Sequence, residues 1–408
     1  MKISVIGLGY IGLPTALMLV THGIEVVGVD LNHKKVERLN SGAIYFKEEG
    51  MDQLFKEGVT CGIKFTTEYQ IADIYIIAVP TPYIKISKKI DTEYVACAVR
   101  NVMKSCKEGT IIIIESTIAP GTIDTIVRPI IKTAGYEIGK DIHIAHAPER
   151  IIPGNMLKEL KYNARIIGAD SKEIAQQVKE IYASFCQGEI ITTDIRTAEM
   201  TKVVENTYRD INIAFANELA KICRQAELDV YEVIRMANMH PRVNILNPGP
   251  GVGGHCIPVD PWFLVGEYPE TSKLIYQARK INESMPEFVF QRIEHIMKKQ
   301  QIKDIKRVGL YGLTYKEDVD DIRESPTLQL IEYIAQHLAV GIKVYDPMLS
   351  EQVVENQYND FEAFLSEIDL VVIMVGHSHL KAHMEKIQDK IVLDTRHICP
   401  YSDNVFTL

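Results

Sequence analysis

Residues 5–12 run Val-Ile-Gly-Leu-Gly-Tyr-Ile-Gly, and the G-x-G-x-x-G spacing of Gly7, Gly9 and Gly12 constrains the fold more than any other feature of the chain. An apolar strand precedes the glycines and a helical stretch follows them. Gly7 permits the tight turn, Gly9 lets a backbone approach a pyrophosphate, and Gly12 lets the helix pack closely on the strand. The N-terminus of that helix offers unsatisfied N–H groups to an anion. The next apolar run, Ile24–Val29, ends in Asp30, eighteen residues after Gly12. A carboxylate there accepts hydrogen bonds from the adenosine ribose and repels a 2′-phosphate, so the unit is predicted to prefer NAD over NADP. Lys34 and Lys35 lie close enough to temper that repulsion.

The theme then repeats. Lys2–Gly7, Ile24–Asp30, Ile74–Pro80, Thr110–Glu115 and Ile142–His146 read as buried strands, several of them separated by amphipathic stretches. Strands alternating with helices imply a parallel sheet covered on both faces. From Thr197 to Leu228 there is no Gly or Pro, and one helix of about 45 Å is expected at about 1.5 Å per residue. A second, smaller series follows: Lys306–Leu313 ending in a glycine turn, a helix from Pro326 to Leu338, and strands at Ile342–Tyr345, Leu370–Val375 and Ile391–Asp394. The predicted class is α/β, with two Rossmann-like doubly wound domains joined by a long central helix.

Composition removes several alternatives. The net charge of −9 argues against a nucleic-acid partner, which needs a basic face. The seven cysteines include no CxxC pair, so reduced cytosolic thiols are expected rather than a disulfide framework or a metal site. The apolar start is interrupted by Gly7, Gly9, Gly12 and Pro14, unlike a signal peptide, and no other segment is long and apolar enough to span a membrane.

Chemistry concentrates in Pro248-Gly-Pro-Gly-Val-Gly-Gly-His-Cys-Ile-Pro-Val-Asp260. Four glycines and three prolines in thirteen residues exclude helix and strand and leave a tight loop carrying Cys256. Most cysteines are inert core residues, and Cys97 and Cys223 fit that description. Cys256 does not, because its neighbours pack no regular element. A thiol becomes an effective nucleophile when positive charge or a base stands nearby. The long helix offers Lys202, Asn206 and Arg209 at i, i+4 and i+7, on one face, with Val203, Val204 and Ala214 expected to pack inward. For an isolated helix such residues make a solvated face; the cysteine loop and the cofactor turn favour a shared cleft.

In this order the motifs resemble the UDP-glucose/GDP-mannose dehydrogenase family over essentially the whole chain: the N-terminal fingerprint, Val79-Pro-Thr-Pro82, Ser116-Thr117, Lys202 with Asn206, Gly253-Gly-His-Cys256, and Lys316 with Asp321-Ile-Arg-Glu-Ser-Pro326. The resemblance implies a four-electron oxidation of a sugar-nucleotide C6 hydroxyl to a carboxylate by two NAD⁺, through a thiohemiacetal and a thioester on Cys256. It implies that Lys202 acts as acid/base or stabilises an alkoxide. Asn206 would hold the sugar or a water, and Asp260 would orient water or Lys202. Glu149 and Thr117 would handle the hydrolytic water. It places Gly7, Gly9, Tyr10, Ile11, Gly12, Asp30, Lys35, Pro80, Thr81, Thr117 and Arg323 at the cofactor. It places Arg150, Ile151, Lys202, Asn206, Arg209, His240, Arg242, Gly253, Tyr315, Lys316 and Arg396 at the sugar nucleotide. It also implies a homodimer through the long helix, a cytoplasmic location, and no metal. The corresponding domains are 1–190 for NAD, 191–295 as a helical centre and 296–408 for the UDP-sugar.

Two departures narrow the substrate. Pro148-Glu-Arg150 stands where UDP-glucose and GDP-mannose enzymes carry Pro-Glu-Phe, and Val259 stands where they carry Lys. Both resemble the N-acetylhexosamine branch. Pro148-Glu-Arg-Ile-Ile-Pro-Gly154 followed by Met156-Leu-Lys-Glu-Leu160, with Val259-Asp-Pro-Trp262, resembles enzymes acting on UDP-N-acetylmannosamine, UDP-N-acetylglucosamine being the alternative. A two-electron dehydrogenase and a non-catalytic nucleotide-sugar or NAD sensor are the competing classes.

Overall fold

The computed structural model describes residues 1–46, 48–151, 154–337 and 341–408. The chain divides into two compact units, residues 1–205 with 262–269, and residues 206–261 with 270–408.

The first unit is built on an eight-stranded sheet: β1 (Lys2–Ile6), β2 (Glu25–Val29), β3 (Lys64–Thr66), β4 (Ile74–Ile77), β5 (Thr110–Ile114), β6 (Ile142–His146), β7 (Arg165–Ala169) and β8 (Ile190–Thr193). Their order is β3-β2-β1-β4-β5-β6-β7-β8. The first six are parallel and have the doubly wound order, so ligands are expected outside their carboxyl ends. β7 turns antiparallel to β6, and β8 runs parallel to β7. The β5 sequence Thr-Ile-Ile-Ile-Ile is buried throughout, as a strand covered on both faces must be. Helix Gly12–Thr21 is almost wholly buried and packs on β1 and β2. Helix Lys172–Ala183 begins where Ser171 accepts from the Ile174 N–H, which satisfies one orphan donor.

The second unit carries six parallel strands: β9 (Val308–Tyr311), β10 (Lys343–Tyr345), β11 (Gln357–Tyr358), β12 (Leu370–Ile373), β13 (Ile391–Asp394) and β14 (Val405–Thr407), in the order β11-β10-β9-β12-β13-β14. Each pair is parallel. Helix Pro326–Gln336 starts with Pro at its first position and Ser325 as its cap. The long helix spans Ile195–Gln225, thirty-one residues, of which 195–205 belong to the first unit and 206–225 to the second.

Every segment expected as a strand is one; Ile142–His146 and Ile391–Asp394 keep their expected bounds, and the others are trimmed at one or both ends. The long helix begins and ends a few residues earlier than its Gly/Pro-free window. The last residue expected in the helix after Pro326, Leu338, lies outside the described residues, as do Ile152 and Pro153 of the Pro-Glu-Arg motif. One packing expectation is corrected. Val203 and Ala214 are buried, but Val204 is 46% exposed. The 100° step between Val203 and Val204 carries the second side chain off the narrow inward stripe of the helix.

Candidate active site

In the first unit the glycine turn has the form its spacing demands. Gly7 adopts a φ of +88°, and its N–H donates to the Val29 carbonyl at 2.8 Å. A Cβ on Gly12 would stand 1.9 Å from the Gly7 carbonyl oxygen, so only glycine lets the helix begin there. A Cβ on Gly9 would meet nothing within 4 Å. The backbone therefore borders open space at the helix start, as a pyrophosphate site requires. Asp30 is anchored by the Leu8 N–H at 3.0 Å and pairs with Lys35 at 2.7 Å. Tyr10 and Ile11 are half-buried in the turn, beside Phe46 in the case of Tyr10.

The carboxyl ends of β4 and β5 are fastened to each other. Ser116 Oγ donates to the Val79 carbonyl at 2.8 Å, which ties the Pro80-Thr81 segment to Thr117. Thr81 is buried, Pro80 exposed and Thr117 between the two. Glu199 on the long helix accepts from the Gly121 and Ile123 N–H groups at 2.6 and 3.0 Å, holding the loop that follows Thr117. Burial lifts the Glu199 carboxyl to about 6.

Glu149 is buried and ion-paired with Arg165, whose guanidinium also reaches Glu115 at 3.4 Å. Tyr182 donates to the same Glu115 oxygen at 3.0 Å. Two buried carboxylates thus share one guanidinium. Burial pushes Glu115 up to about 7; Arg165 opposes this and Glu149 reinforces it. Burial weakens the Arg165 charge while the carboxylates restore it, Glu149 foremost, and the net direction is upward. Arg150 lies next in sequence and forms a two-pronged pair with Glu205 at 2.5 and 2.9 Å. Ile151 and Lys202 are buried in this unit.

In the second unit the loop carrying Cys256 is held at several points. The Cys256 carbonyl accepts from the Val259 and Asp260 N–H groups at 3.1 and 2.9 Å, a single turn that leads into helix Asp260–Glu267. Asn206 Nδ2 donates to Asp260 Oδ2 at 2.6 Å. The Gly254 N–H donates to the Arg323 carbonyl at 2.9 Å. A Cβ on Gly253 would meet the Glu324 carbonyl and Tyr315 Cβ at 2.7 Å. The geometry therefore brings Gly253, Cys256, Asn206, Asp260, Tyr315 and the Arg323 backbone together. Arg396 Nη1 stands 2.9 Å from where a Gly249 Cβ would be. Arg209, His240 and Arg242 are exposed, and Lys316 is half-buried with its carbonyl accepting from Thr314. Cys223 is buried as expected, Cys97 only partly. Among the described residues no group of His, Cys, Asp and Glu could hold a metal ion.

Sequence reading placed Glu115 at a strand end facing the crevice but missed its partner Arg165, and also the polar residues Asp210, Asn217, Arg279 and Asn282. Several stand beside other charged residues (Asp210 after Arg209, Asn217 before Glu218, Arg279 before Lys280, Asn282 before Glu283), so nothing local marks them as buried or reveals a partner.

The second unit repeats the glycine turn at the level of single hydrogen bonds. Gly312 has a φ of +98°, its N–H donates to the Tyr345 carbonyl at 2.8 Å, and Leu313 N–H donates to Asp346 at 2.5 Å. Asp346 also takes Thr314 and Met348 N–H groups and faces His377, so this buried carboxylate is fully used within the protein. Asp30 keeps an exposed edge. The carboxylate of the first turn thus keeps accessible surface, and that of the second has none.

Comparison with known proteins agrees. The profile of the UDP-glucose/GDP-mannose dehydrogenase family, NAD binding domain, matches residues 1–186. That family's central domain matches 196–284, and its UDP binding domain matches 309–401. The chain belongs to the UDP-glucose/GDP-mannose dehydrogenase family. It is an NAD-dependent oxidoreductase, and its first Rossmann-like sheet is the NAD-binding one. The chain is 45% identical to a UDP-N-acetyl-D-mannosamine dehydrogenase of Methanococcus aeolicus, over 97% of this chain and 91% of the relative. It is 41% identical to an NDP-N-acetyl-D-galactosaminuronic acid dehydrogenase of Ralstonia nicotianae, over 97% and 95%. Its fold matches the UDP-N-acetyl-mannosamine dehydrogenase of Staphylococcus aureus with a TM-score of 0.89 and 43% identity, covering 100% and 97% of the two chains.

Proposed function

We propose that this dehydrogenase oxidises C6 of UDP-N-acetyl-D-mannosamine to the carboxylate of the uronate, supplying a surface polysaccharide. The observation that carries the reading is the loop of Cys256, whose carbonyl is bonded to the Asp260 N–H while the Asp260 side chain is bonded to Asn206. The sugar is favoured by the relatives named for it.

NAD⁺, when bound, accepts the two electrons of each oxidation as a hydride, so one sugar consumes two NAD⁺ and one water. The residues fit such a cofactor: the open backbone at Gly9 and the Asp30 carboxylate, held by the Leu8 N–H beside the same turn, are the groups a dinucleotide needs. The chain's own residues then perform the remaining steps. The Cys256 thiolate adds to the C6 aldehyde, forming a C–S bond, and the resulting oxygen takes a proton from an acid, the role assigned to Lys202. After the second oxidation the carbonyl carbon is held as a thioester. Water attacks it, the C–S bond breaks, and the thiolate is regenerated with the acid product. Glu149 and Thr117 are assigned to that water, with Asp260 orienting water or Lys202. Asn206 donates to Asp260 and keeps its own oxygen for the sugar or a water. A covalent intermediate retains the reactive aldehyde between the two oxidations.

The roles of the other residues follow the family pattern. Gly7, Gly9, Tyr10, Ile11, Gly12, Asp30, Lys35, Pro80, Thr81, Thr117 and Arg323 serve the cofactor. Arg150, Ile151, Arg209, His240, Arg242, Gly253, Tyr315, Lys316 and Arg396 serve the sugar nucleotide. The reading divides the chain at 1–190, 191–295 and 296–408. A homodimer through the long helix is supported by a stripe on it, Tyr208, Phe215 and Ile222, which is 63%, 49% and 54% exposed. No helix among the described residues is long and apolar enough to cross a membrane. A cytoplasmic location belongs to the same reading, because thiols stay reduced in the cytosol.

The test is an assay with UDP-N-acetylmannosamine, UDP-N-acetylglucosamine, UDP-N-acetylgalactosamine and UDP-glucose, counting NADH per uronate. Two NADH per uronate with the manno sugar preferred is the expected result. One NADH with free aldehyde as product would sink the four-electron reading. Preference for UDP-N-acetylgalactosamine would shift the reading towards the Ralstonia nicotianae relative, which is named for the galacto series.

A further inference from the structure

A line of four buried side chains in the second unit ends on the loop that carries Cys256. Arg279 Nη1 donates to Asp210 Oδ1 at 2.7 Å. Asn282 Nδ2 donates to the same oxygen at 2.8 Å and to the Asp210 carbonyl at 3.0 Å. Asn217 Nδ2 donates to Asn282 Oδ1 at 2.8 Å. The Gly249 N–H then donates to Asn217 Oδ1 at 2.9 Å. All four residues are at most 3% exposed.

The polarity of this line is fixed from both ends. A backbone N–H can only donate, so Asn217 must present its oxygen to Gly249 and its NH₂ to Asn282. Asn282 must then present its oxygen to Asn217 and its NH₂ to Asp210. The carboxylate at the end accepts from both Asn282 and Arg279. Reversing either amide would set donor against donor in a buried site, which costs the desolvation of both groups. The far end of the loop is held by the same helix, through Asn206 and Asp260 at 2.6 Å. Asn212, between them, takes the Leu246 N–H at 3.0 Å and donates to the Asn244 carbonyl at 2.8 Å. A segment rich in glycine has high conformational freedom, and these clamps remove it where the chain enters and leaves the loop.

We propose that Arg279, Asp210, Asn282 and Asn217 form a positioning relay that sets the placement of the Cys256 loop through the Gly249 N–H. None of the four need touch substrate. The proposal rests on Cys256 being the nucleophile, and the experiment separates the two claims.

The variants are Asn217→Ala, Arg279→Met, and the pair Asp210→Asn with Arg279→Met. The paired change keeps an oxygen for Asn282 while removing both charges, so it preserves the relay without the ion pair. Steady-state kinetics with UDP-N-acetylmannosamine are measured beside hydrogen exchange of the peptide containing Gly249. Asn217→Ala is expected to lower kcat at least tenfold with KM within threefold, and to speed exchange at Gly249. Arg279→Met is expected to lower kcat similarly, and the paired variant to recover it to within threefold of wild type. Should Asn217→Ala not fold, the comparison of the two Arg279 variants decides. Unchanged kcat in a folded Asn217→Ala, or no recovery in the pair, overturns the relay. Cys256→Ala is assayed in parallel; retained uronate formation there overturns the nucleophile, while the exchange data still decide whether the relay holds the loop.

Discussion

Asn206 donates to the Asp260 carboxylate across 2.6 Å, and both side chains are buried. A charge-assisted bond in such a setting fixes an acid and an amide in one orientation. Asp260→Asn would put an amide against an amide while keeping the shape. It is expected to lower kcat by about 100-fold, the usual scale for one acid–base or orienting group. Asn206→Asp would set two carboxylates together and is expected to do more harm than Asn206→Ala. Steady-state kinetics on folded variants, checked by circular dichroism, measure both.

Cys256→Ala is expected to abolish uronate formation and leave NAD binding within about threefold of wild type. The turn assigned to the dinucleotide, Gly7 to Gly12, belongs to the first unit, and Cys256 belongs to the second. Fluorescence titration with NADH reads the binding. Loss of NADH binding in a folded Cys256→Ala variant would mark the cysteine as structural.

The pH dependence of stability has a definite sign. The Glu115 carboxyl, raised by burial from 4.5 to about 7, binds its proton more tightly in the folded chain. Its contribution is therefore complete below pH 4.5 and is lost as pH rises to about 7. His146 is the reverse case: burial lowers it from 6.5 to about 4, although its Nδ1 bond to the Ile114 carbonyl opposes the change. Its contribution is complete above pH 6.5 and is lost as pH falls through about 4. The windows overlap and the slopes oppose. Glu115→Gln is expected to raise the slope of Tm against pH between 4.5 and 6.5, by roughly 2–4 °C across the window. His146→Asn is expected to lower it. Thermal melts at several pH values decide, and parallel curves for both variants would refute the assignment.

Gly12→Ala would force a Cβ to within 1.9 Å of the Gly7 carbonyl oxygen. Backbone cannot yield as a flexible side chain would, so a loss of about 1–3 kcal/mol is expected. NAD affinity should fall with it, because the displaced turn is the one proposed to cradle the pyrophosphate. Urea unfolding and NADH titration are the measurements. Gly9→Ala, with nothing within 4 Å, should keep stability and lose affinity alone.

Periodicity and glycine spacing carried a large share of this protein in the sequence itself. The run Thr110–Ile114 can only be a strand buried on both faces, and Gly7, Gly9 and Gly12 can serve only a turn between strand and helix. The density of glycine and proline around Cys256 likewise forbids regular structure there. Such features are local: each follows from a few neighbouring residues and the backbone angles open to them. The edge strands Gln357–Tyr358 and Val405–Thr407 are too short to leave a pattern. What tertiary structure alone decided are pairings over long separations. Arg165 finds Glu149 and Glu115, Arg279 finds Asp210, and Asn217 finds Gly249. It also decided that the carboxylate of the second glycine turn is sealed, because Asp346 is wholly buried against His377, thirty-one residues away, while Asp30, paired with the nearby Lys35, keeps part of its side chain exposed. A buried charge must be compensated, but the sequence does not say by whom, since the partner is chosen by which strands and helices come to lie side by side.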